Sequence, residues 1–239
     1  MTLFVVGIGD GHGTLTLDGD NALKKCTNII GYGKYIDLVK DRYPDKNYIS
    51  SGMKQERERC REALDLAQKE NTALVCSGDA QVYAMAGLVL EKAPEYPNTE
   101  VKIISGVSAA YSGGALLGSP LTGDHVIISL SDLLTPRERI EKRLRCASMA
   151  DMAIVLYNPC SHGRPEHLKR ALDIISEYIS ADTVCGYAKN IGREDEYSEV
   201  LTLRELYEIP ADMSTTVFIG CSDTKNIGGK MVTLRGYAK

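Results

Sequence analysis

Short apolar runs alternate along the chain with stretches whose apolar residues recur every three or four positions. The runs at 3–7, 28–32, 72–77, 101–105, 126–130, 153–157 and 183–188 are mostly short, continuous and β-branched. Strands buried on both faces read this way. Between them, residues 53–69 place Met53, Cys60, Ala63, Leu64 and Ala67 on one helical face with charge around the other. Residues 81–92 and 109–117 predict more apolar, well-buried helices, and 166–179 another amphipathic one. A helix over 136–147 starts on Pro136, whose missing N–H would have no partner there anyway. The later runs at 199–202, 215–220 and 231–234 have short connections and read as antiparallel or mixed pairing. The pattern therefore predicts an α/β protein of two lobes, a parallel N-terminal sheet and a mixed C-terminal sheet, with a ligand cleft between them. The break is expected at Gly118-Ser119-Pro120-Leu121-Thr122-Gly123, giving lobes 1–118 and 119–239.

Three glycine-broken segments stand at the ends of expected strands. They are Val6-Gly7-Ile8-Gly9-Asp10-Gly11, Cys76-Ser77-Gly78-Asp79 and Ser105-Gly106-Val107-Ser108-Ala109. Each follows an apolar run and precedes a helix-like stretch, which puts all three at the carboxyl edge of a parallel sheet, where α/β proteins bind ligands. Glycine there permits a close backbone approach or a positive φ.

Composition narrows the classes. The chain has 239 residues, 44% hydrophobic and 25% charged, and a formal net charge of -4. That balance disfavours a nucleic-acid coating role. Its seven cysteines are widely spaced and contain no Cys-x-x-Cys. A disulfide framework or zinc knuckle is not expected, and reduced thiols in a cytoplasm are. Cys76 and Cys185 fall in expected strands, as small buried hydrophobes do. No segment reaches the roughly 18–20 apolar residues of a membrane span, and a secretory signal is not expected.

The first glycine loop is not a dinucleotide fingerprint. From Gly7 and Gly9 the third glycine of Gly-x-Gly-x-x-Gly falls on His12. Asp10 puts negative charge where a pyrophosphate would lie, and Gly31-Tyr32 ends the second strand without a ribose-binding acid. No Gly-Lys-Ser/Thr follows a glycine loop, so a P-loop is excluded.

The same loops carry a resemblance. Val6 to Gly11 followed by Leu15-Thr16, the Ser77-Gly78-Asp79-Ala80-Gln81-Val82-Tyr83 segment, and Gly106-Val107-Ser108-Ala109 resemble the glycine loops of the tetrapyrrole (corrin/porphyrin) methylases. The resemblance covers nearly the whole chain. Gly31-Tyr32-Gly33-Lys34-Tyr35, Ser51-Gly52-Met53-Lys54, Ser129-Leu130-Ser131-Asp132-Leu133-Leu134-Thr135-Pro136, Leu156-Tyr157-Asn158-Pro159 and Asn190-Ile191-Gly192-Arg193-Glu194 are similar to one branch of that family. That branch methylates the macrocycle at C-17 and contracts the ring. Asp10, Ala80 and Ser105 stand where the family usually has proline. Such a loss typically costs about 0.4–1 kcal/mol through the unfolded state.

The resemblance implies S-adenosylmethionine as cofactor, a tetrapyrrole substrate and a homodimer, with no nucleic-acid or membrane partner and no metal site. It implies that Gly9, Ser77, Gly78, Asp79, Val82, Ser108, Ala109, Tyr157, Asn158, Ala188 and Thr216 surround the cofactor. Plain core packing is the competing role for Val82 and Ala188, and helix capping for Asp79. A substrate rich in carboxylates needs positive charge, and Lys34, Lys54, Arg137, Arg164, Lys189 and Arg193 lie in or beside motif loops. Methyl transfer to a ring carbon needs no protein nucleophile. Ring contraction needs proton transfer, for which Asp10, His12, Ser131 and Asp132 are in suitable loops. Two other readings remain at this stage: a sibling methylase acting on precorrin-4 at C-11 or on uroporphyrinogen III, and a non-catalytic tetrapyrrole carrier.

Overall fold

The computed structural model of the chain describes residues 1–10, 13–161 and 163–237. Two compact units emerge, Met1–Ser108 and Ala109–Lys239.

The first unit is a parallel five-stranded sheet. Its strands are β1 (Thr2–Gly7), β2 (Asn28–Tyr32), β3 (Asn47–Ser51), β4 (Thr72–Cys76) and β5 (Glu100–Ile104). They lie in the order β3-β2-β4-β1-β5, and every pairing is parallel. Helices α1 (Leu17–Lys25), α2 (Gly33–Ile36), α3 (Glu56–Ala67) and α4 (Ala86–Lys92) connect them. Side chains alternate across β1, as a period of two requires. Phe4 and Val6 pack with Ala22, Leu23 and Ile36 on the α1–α2 face, while Leu3 and Val5 pack with Leu64, Ala67 and Val89 on the α3–α4 face.

In the second unit, β7 (His125–Ser129), β8 (Ala153–Tyr157), β9 (Val184–Lys189), β10 (Tyr197–Thr202) and β11 (Thr215–Ile219) form a sheet in the order β10-β9-β11-β8-β7. Only β7 and β8 pair in parallel; the other three pairings are antiparallel. Helices α6 (Arg137–Met149) and α7 (His167–Ser176) cover one face, where Leu144, Leu172, Val217 and Ile219 are buried together. Helix α5 (Ala109–Leu117) covers the other, against Val155, Ala188 and Phe218. A small sheet of β12 (Thr224–Ile227), β13 (Lys230–Thr233) and β6 (Gly118–Ser119) completes the unit.

The architecture, a parallel sheet followed by a mixed one, is as expected. Several details differ. The units divide at Ser108/Ala109, ahead of the expected break at 118/119, because α5 packs on β9, β10 and β11. Helix α3 begins at Glu56, not Met53, since Lys54 has φ 63°. Met53 is therefore off the helix and 66% exposed, and Arg59 joins Cys60, Ala63, Leu64 and Ala67 on the buried face. Helix α4 begins at Ala86, not Gln81, because Tyr83 at φ 53° interrupts the turn before it. Helices α1 and α2 and strands β3, β6 and β12 were not in the sequence reading.

Candidate functional site

The three glycine loops meet at the carboxyl ends of neighbouring strands β4, β1 and β5. The chain leaves β1 toward α1 on one face of the sheet and leaves β4 toward α4 on the other. Adjacent strands whose connections part in this way open a crevice at the strand ends. The loops are bound to one another before any ligand is considered. Gly9 N–H donates to the Gly78 carbonyl at 3.0 Å, and Gly78 N–H donates to the Gly9 carbonyl at 2.7 Å. A Cβ on Gly7 would lie 2.7 Å from Gly106 N, and one on Gly106 would lie 2.2 Å from the Gly78 carbonyl oxygen. Backbone packed this closely admits only glycine. Gly9 also holds φ 73°, where a side chain would be strained.

Asp79 fastens the same junction. It is 8% exposed. Its Oδ1 accepts the N–H groups of Gln81 and Val82 at 2.8 and 3.3 Å, and its Oδ2 accepts that of Gly106 at 2.9 Å. Ser77 lies half-buried before Gly78, and Val82 half-buried after Asp79. Ser108 is buried and leads into Ala109, the first residue of α5. Asp10 is buried at the end of the first loop. Its backbone N–H donates to Thr14 Oγ1 at 3.0 Å, a bond that the proline usual at this position could not make. His12 lies outside the described residues.

The second unit gathers most of the remaining residues at one sheet edge. Ser129 is in register with Tyr157, and Thr216 with Ala188. Val217 faces Leu156, so the next ladder step sets Thr216 opposite Tyr157. Ser129, Tyr157, Thr216 and Ala188 thus form one row across β7, β8, β11 and β9. Ala188 is fully buried in the α5-side core and Thr216 is 4% exposed. Tyr157 Oη accepts the N–H of Ala110 at 2.8 Å. Asn158, at φ 55°, donates through Nδ2 to Ser129 Oγ at 2.9 Å, and the Ser131 N–H donates to the same oxygen at 3.2 Å. Ser129 therefore ties together the Ser129–Pro136 and Leu156–Pro159 strings.

The basic candidates separate into groups. Arg164 and Arg137 both reach Asp132, at 2.9 and 3.4 Å. Burial raises the Asp132 carboxyl, but His167, Arg137 and Arg164 outweigh it and hold the group below its ordinary value. Asp132 is thus kept ionised, a poor setting for a general acid. Lys189 pairs with Asp212 at 2.7 Å. Burial likewise raises the Asp212 carboxyl, but its bonds to Lys189 and Ser214 bring it down to about 2. Lys34 and Lys54 are exposed on the first unit, after β2 and β3. Arg193 lies in the loop after β9, and its Nε is buried with no hydrogen-bond partner among the described residues. Neither Ser129 nor His167 is among the site residues expected from the sequence. Ser129 stood inside a quoted string, and His167 at the start of an expected helix.

Among the described residues no group of three His, Cys, Asp or Glu side chains could hold a metal ion, and no helix is long and apolar enough to cross a membrane. Interlocked glycine loops at a parallel-sheet switch point are a ligand-binding arrangement of α/β proteins. The chain belongs to the tetrapyrrole (corrin/porphyrin) methylases, whose family model matches residues 2–207. It is accordingly a methyltransferase. A probable cobalt-factor III C(17)-methyltransferase of Salmonella typhimurium is 44% identical over 98% of this chain and 99% of its own. A precorrin-3B C(17)-methyltransferase of Sinorhizobium sp is 36% identical over 94% of this chain and 90% of its own. The crystal structure of the methyltransferase CobJ superposes with a TM-score of 0.90 at 32% identity, covering 97% of this chain and 99% of the other. The family and fold expected from the motifs are borne out.

Proposed function

We propose that this protein methylates C-17 of precorrin-3B, or of its cobalt-bearing counterpart, and contracts the ring to precorrin-4 or its cobalt form in cobalamin biosynthesis. One observation carries the reading. Relatives matching along nine-tenths or more of both chains are named as C(17)-methyltransferases, one of cobalt-factor III and one of precorrin-3B. The higher identity to the cobalt-factor III enzyme favours the cobalt-bearing substrate. Cobalt is then cargo of the substrate rather than a protein ligand.

The methyl donor is S-adenosylmethionine, and the donor set suits it. The Ser77 and Ser108 hydroxyls and the Asp79 carboxylate match the zwitterionic methionyl end and the ribose, while Gly9 and Gly78, whose amides bond each other's carbonyls, keep the backbone close. Tyr157, Asn158 and Thr216, with Val82 and Ala109, supply hydroxyl, amide and apolar surface for the remainder, while Ala188, fully buried, takes the core-packing role and backs the row from inside. When bound, the cofactor supplies a methyl group on a sulfonium sulfur. The chain's part is orientation, which alone contributes roughly 7–11 kcal/mol in well-placed reactions. The interlocked loops serve this because they leave the strand ends little freedom. Lys34, Lys54, Arg137, Arg164, Lys189 and Arg193 balance the carboxylates of the substrate.

Proton transfer in ring contraction falls to Asp10, a buried carboxylate in the loop after β1, with Ser131 and His12 as further candidates. We also propose a homodimer, supported by the family resemblance, and a cytoplasmic setting, supported by seven free cysteines.

The test is a mass-spectrometric assay with S-adenosylmethionine and precorrin-3B or its cobalt form, supplied by coupled upstream enzymes. One added methyl at C-17 is the expected product. Methylation at C-11, or of uroporphyrinogen III alone, favours a sibling enzyme. Cofactor binding without transfer to any of them leaves a carrier.

A further inference from the structure

The cluster around Asp132 holds more cation than its one carboxylate requires. Arg164 Nη1 meets Oδ1 at 2.9 Å, while Arg137 Nη2 and His167 Nε2 meet Oδ2 at 3.4 and 3.5 Å. Two guanidinium charges against one carboxylate leave an excess of +1 before the imidazole is counted. A guanidinium has five N–H donors in a fixed fork. Arg164 directs one of them to Asp132, which leaves the fork suited to a second carboxylate.

The surroundings favour an anion as well. Arg137 is the first residue of α6 and His167 the first of α7, helices of 13 and 10 residues. Helix amino ends carry partial positive charge. His167 is only 12% exposed, whereas Arg164 and Arg137 are 27% and 50% exposed. The imidazole thus backs Asp132 from inside while both guanidinium groups reach solvent. In the same loop Leu133 and Leu134 are 62% and 97% exposed. Bare leucines beside an arginine pair suit a ligand that is apolar on its face and carboxylated at its rim.

We infer that residues 131–137 and the start of α7 form a carboxylate-binding subsite for one edge of the macrocycle. In it Arg164 and Arg137 hold the ligand, and Asp132, backed by His167, is the positioning residue that fixes them. The inference rests on the tetrapyrrole reading and removes Asp132 from the proton-transfer candidates.

The probes are uroporphyrin III, with eight carboxylates, and coproporphyrin III, with four. Each is titrated by its absorbance into the full chain at fixed ionic strength. Arg164→Gln should weaken uroporphyrin binding by about tenfold, as loss of a charged fork does, and coproporphyrin binding by less. Asp132→Asn should weaken it by a smaller factor, and His167→Gln by less again. If Arg164→Gln fails to fold by circular dichroism, Arg164→Lys keeps the charge, loses the fork and should show an intermediate loss. In turnover, Asp132→Asn should raise KM and leave kcat and its pH profile unchanged. The inference is overturned if uroporphyrin affinity is equal in the parent, Arg164→Gln and Arg137→Gln. It is also overturned if Asp132→Asn loses kcat and one limb of the pH profile at unchanged KM. If C-17 methylation fails while Arg164→Gln still loses the porphyrin, the subsite stands and the C-17 reading falls.

Discussion

Replacing Gly106 with alanine tests whether the glycine loops are there for one another. The added Cβ would sit 2.2 Å from the Gly78 carbonyl oxygen and 2.6 Å from both the carbonyl carbon and oxygen of Gly7. All three are backbone atoms, so no side chain can swing aside. Overpacking of this kind costs about 1–3 kcal/mol. If the loop moves away instead, it loses the Asp79–Gly106 bond of 2.9 Å, and bonds to charged groups contribute about 1.5–3 kcal/mol. Either way the loss is about 1–3 kcal/mol. At about 2–4 °C per kcal/mol for a chain of this size, Tm should fall by about 2–12 °C. The chain has no tryptophan, so circular dichroism or scanning calorimetry is the assay. Gly87→Ala is the control, because a Cβ there meets nothing within 4 Å. It lies in α4, where alanine should stabilise by roughly 0.5–1 kcal/mol. A Gly106→Ala protein that melts with the parent would refute the interlock.

Two further predictions concern stability and thiol access. Asp20, 5% exposed, takes Lys24 at 2.6 Å and Tyr43 Oη at 2.6 Å, and the bonds from Lys24 and Tyr43 lower its carboxyl to about 2. A depressed carboxyl stabilises the fold above its unfolded value of about 3.9. That contribution should disappear as the pH falls toward 2, so Asp20→Ala should flatten the acid limb of a Tm–pH curve. The substitution should also cost about 1–3 kcal/mol at neutral pH, because the buried Tyr43 hydroxyl loses its acceptor. Burial pushes the thiols of Cys26 and Cys185 up to about 12 and those of Cys60 and Cys76 up to about 11. Alkylation of the native protein followed by peptide mass spectrometry should therefore mark exposed Cys146 first and these four only after unfolding. Early labelling of Cys76 would contradict the buried β4.

The apolar runs made much of the fold legible. Strand β8 (Ala153–Tyr157) and helix α5 (Ala109–Leu117) fall on the residues read from sequence, since each is set by a local apolar pattern. Helix α1 was not read because it is mostly polar and offers only Gly19, Asp20, Ala22 and Leu23 to the interior. Its signals were at the ends: the Thr16 cap, Asp18 and Asp20 in the first turn, and Lys24 and Lys25 in the last. Strand β3, Asn47–Ser51, is a half-exposed edge with little apolar content. Strand β6 has two residues and exists only because β13 pairs with it. The glycine and proline cluster at 118–123 marks a real change of direction. Yet what α5 belongs to is decided by packing on β9 and β11, which no local window contains. For the site, the motifs placed Ser129, Tyr157, Thr216 and Ala188 in separate segments, and only strand register puts them in one row. Charge pairing was illegible for the same reason: Asp132 and Arg164 meet across 32 positions.

The interlock also decides which substitutions can report on cofactor binding. Asp79 serves three backbone N–H groups, so removing its carboxylate disturbs the loops whether or not it touches a ligand. In Asp79→Asn one side-chain oxygen becomes an N–H donor, which then faces either Gly106 N–H or the Gln81 and Val82 pair. Melting temperature and cofactor affinity should fall together, and the fall in affinity identifies no contact. Ser77 is different. It is half-buried at the same edge, and no hydrogen bond of its hydroxyl to the described residues holds the loops. Ser77→Ala should melt within about 1 °C of the parent, since substitutions away from packing and bonding features usually stay within ±0.5 kcal/mol. If the hydroxyl bonds the cofactor, calorimetry should show S-adenosylmethionine affinity lower by about 0.5–1.5 kcal/mol, the worth of one neutral hydrogen bond. Unchanged affinity at unchanged Tm would remove Ser77 from the cofactor site and leave the interlocked backbone itself as what the first unit offers the ligand.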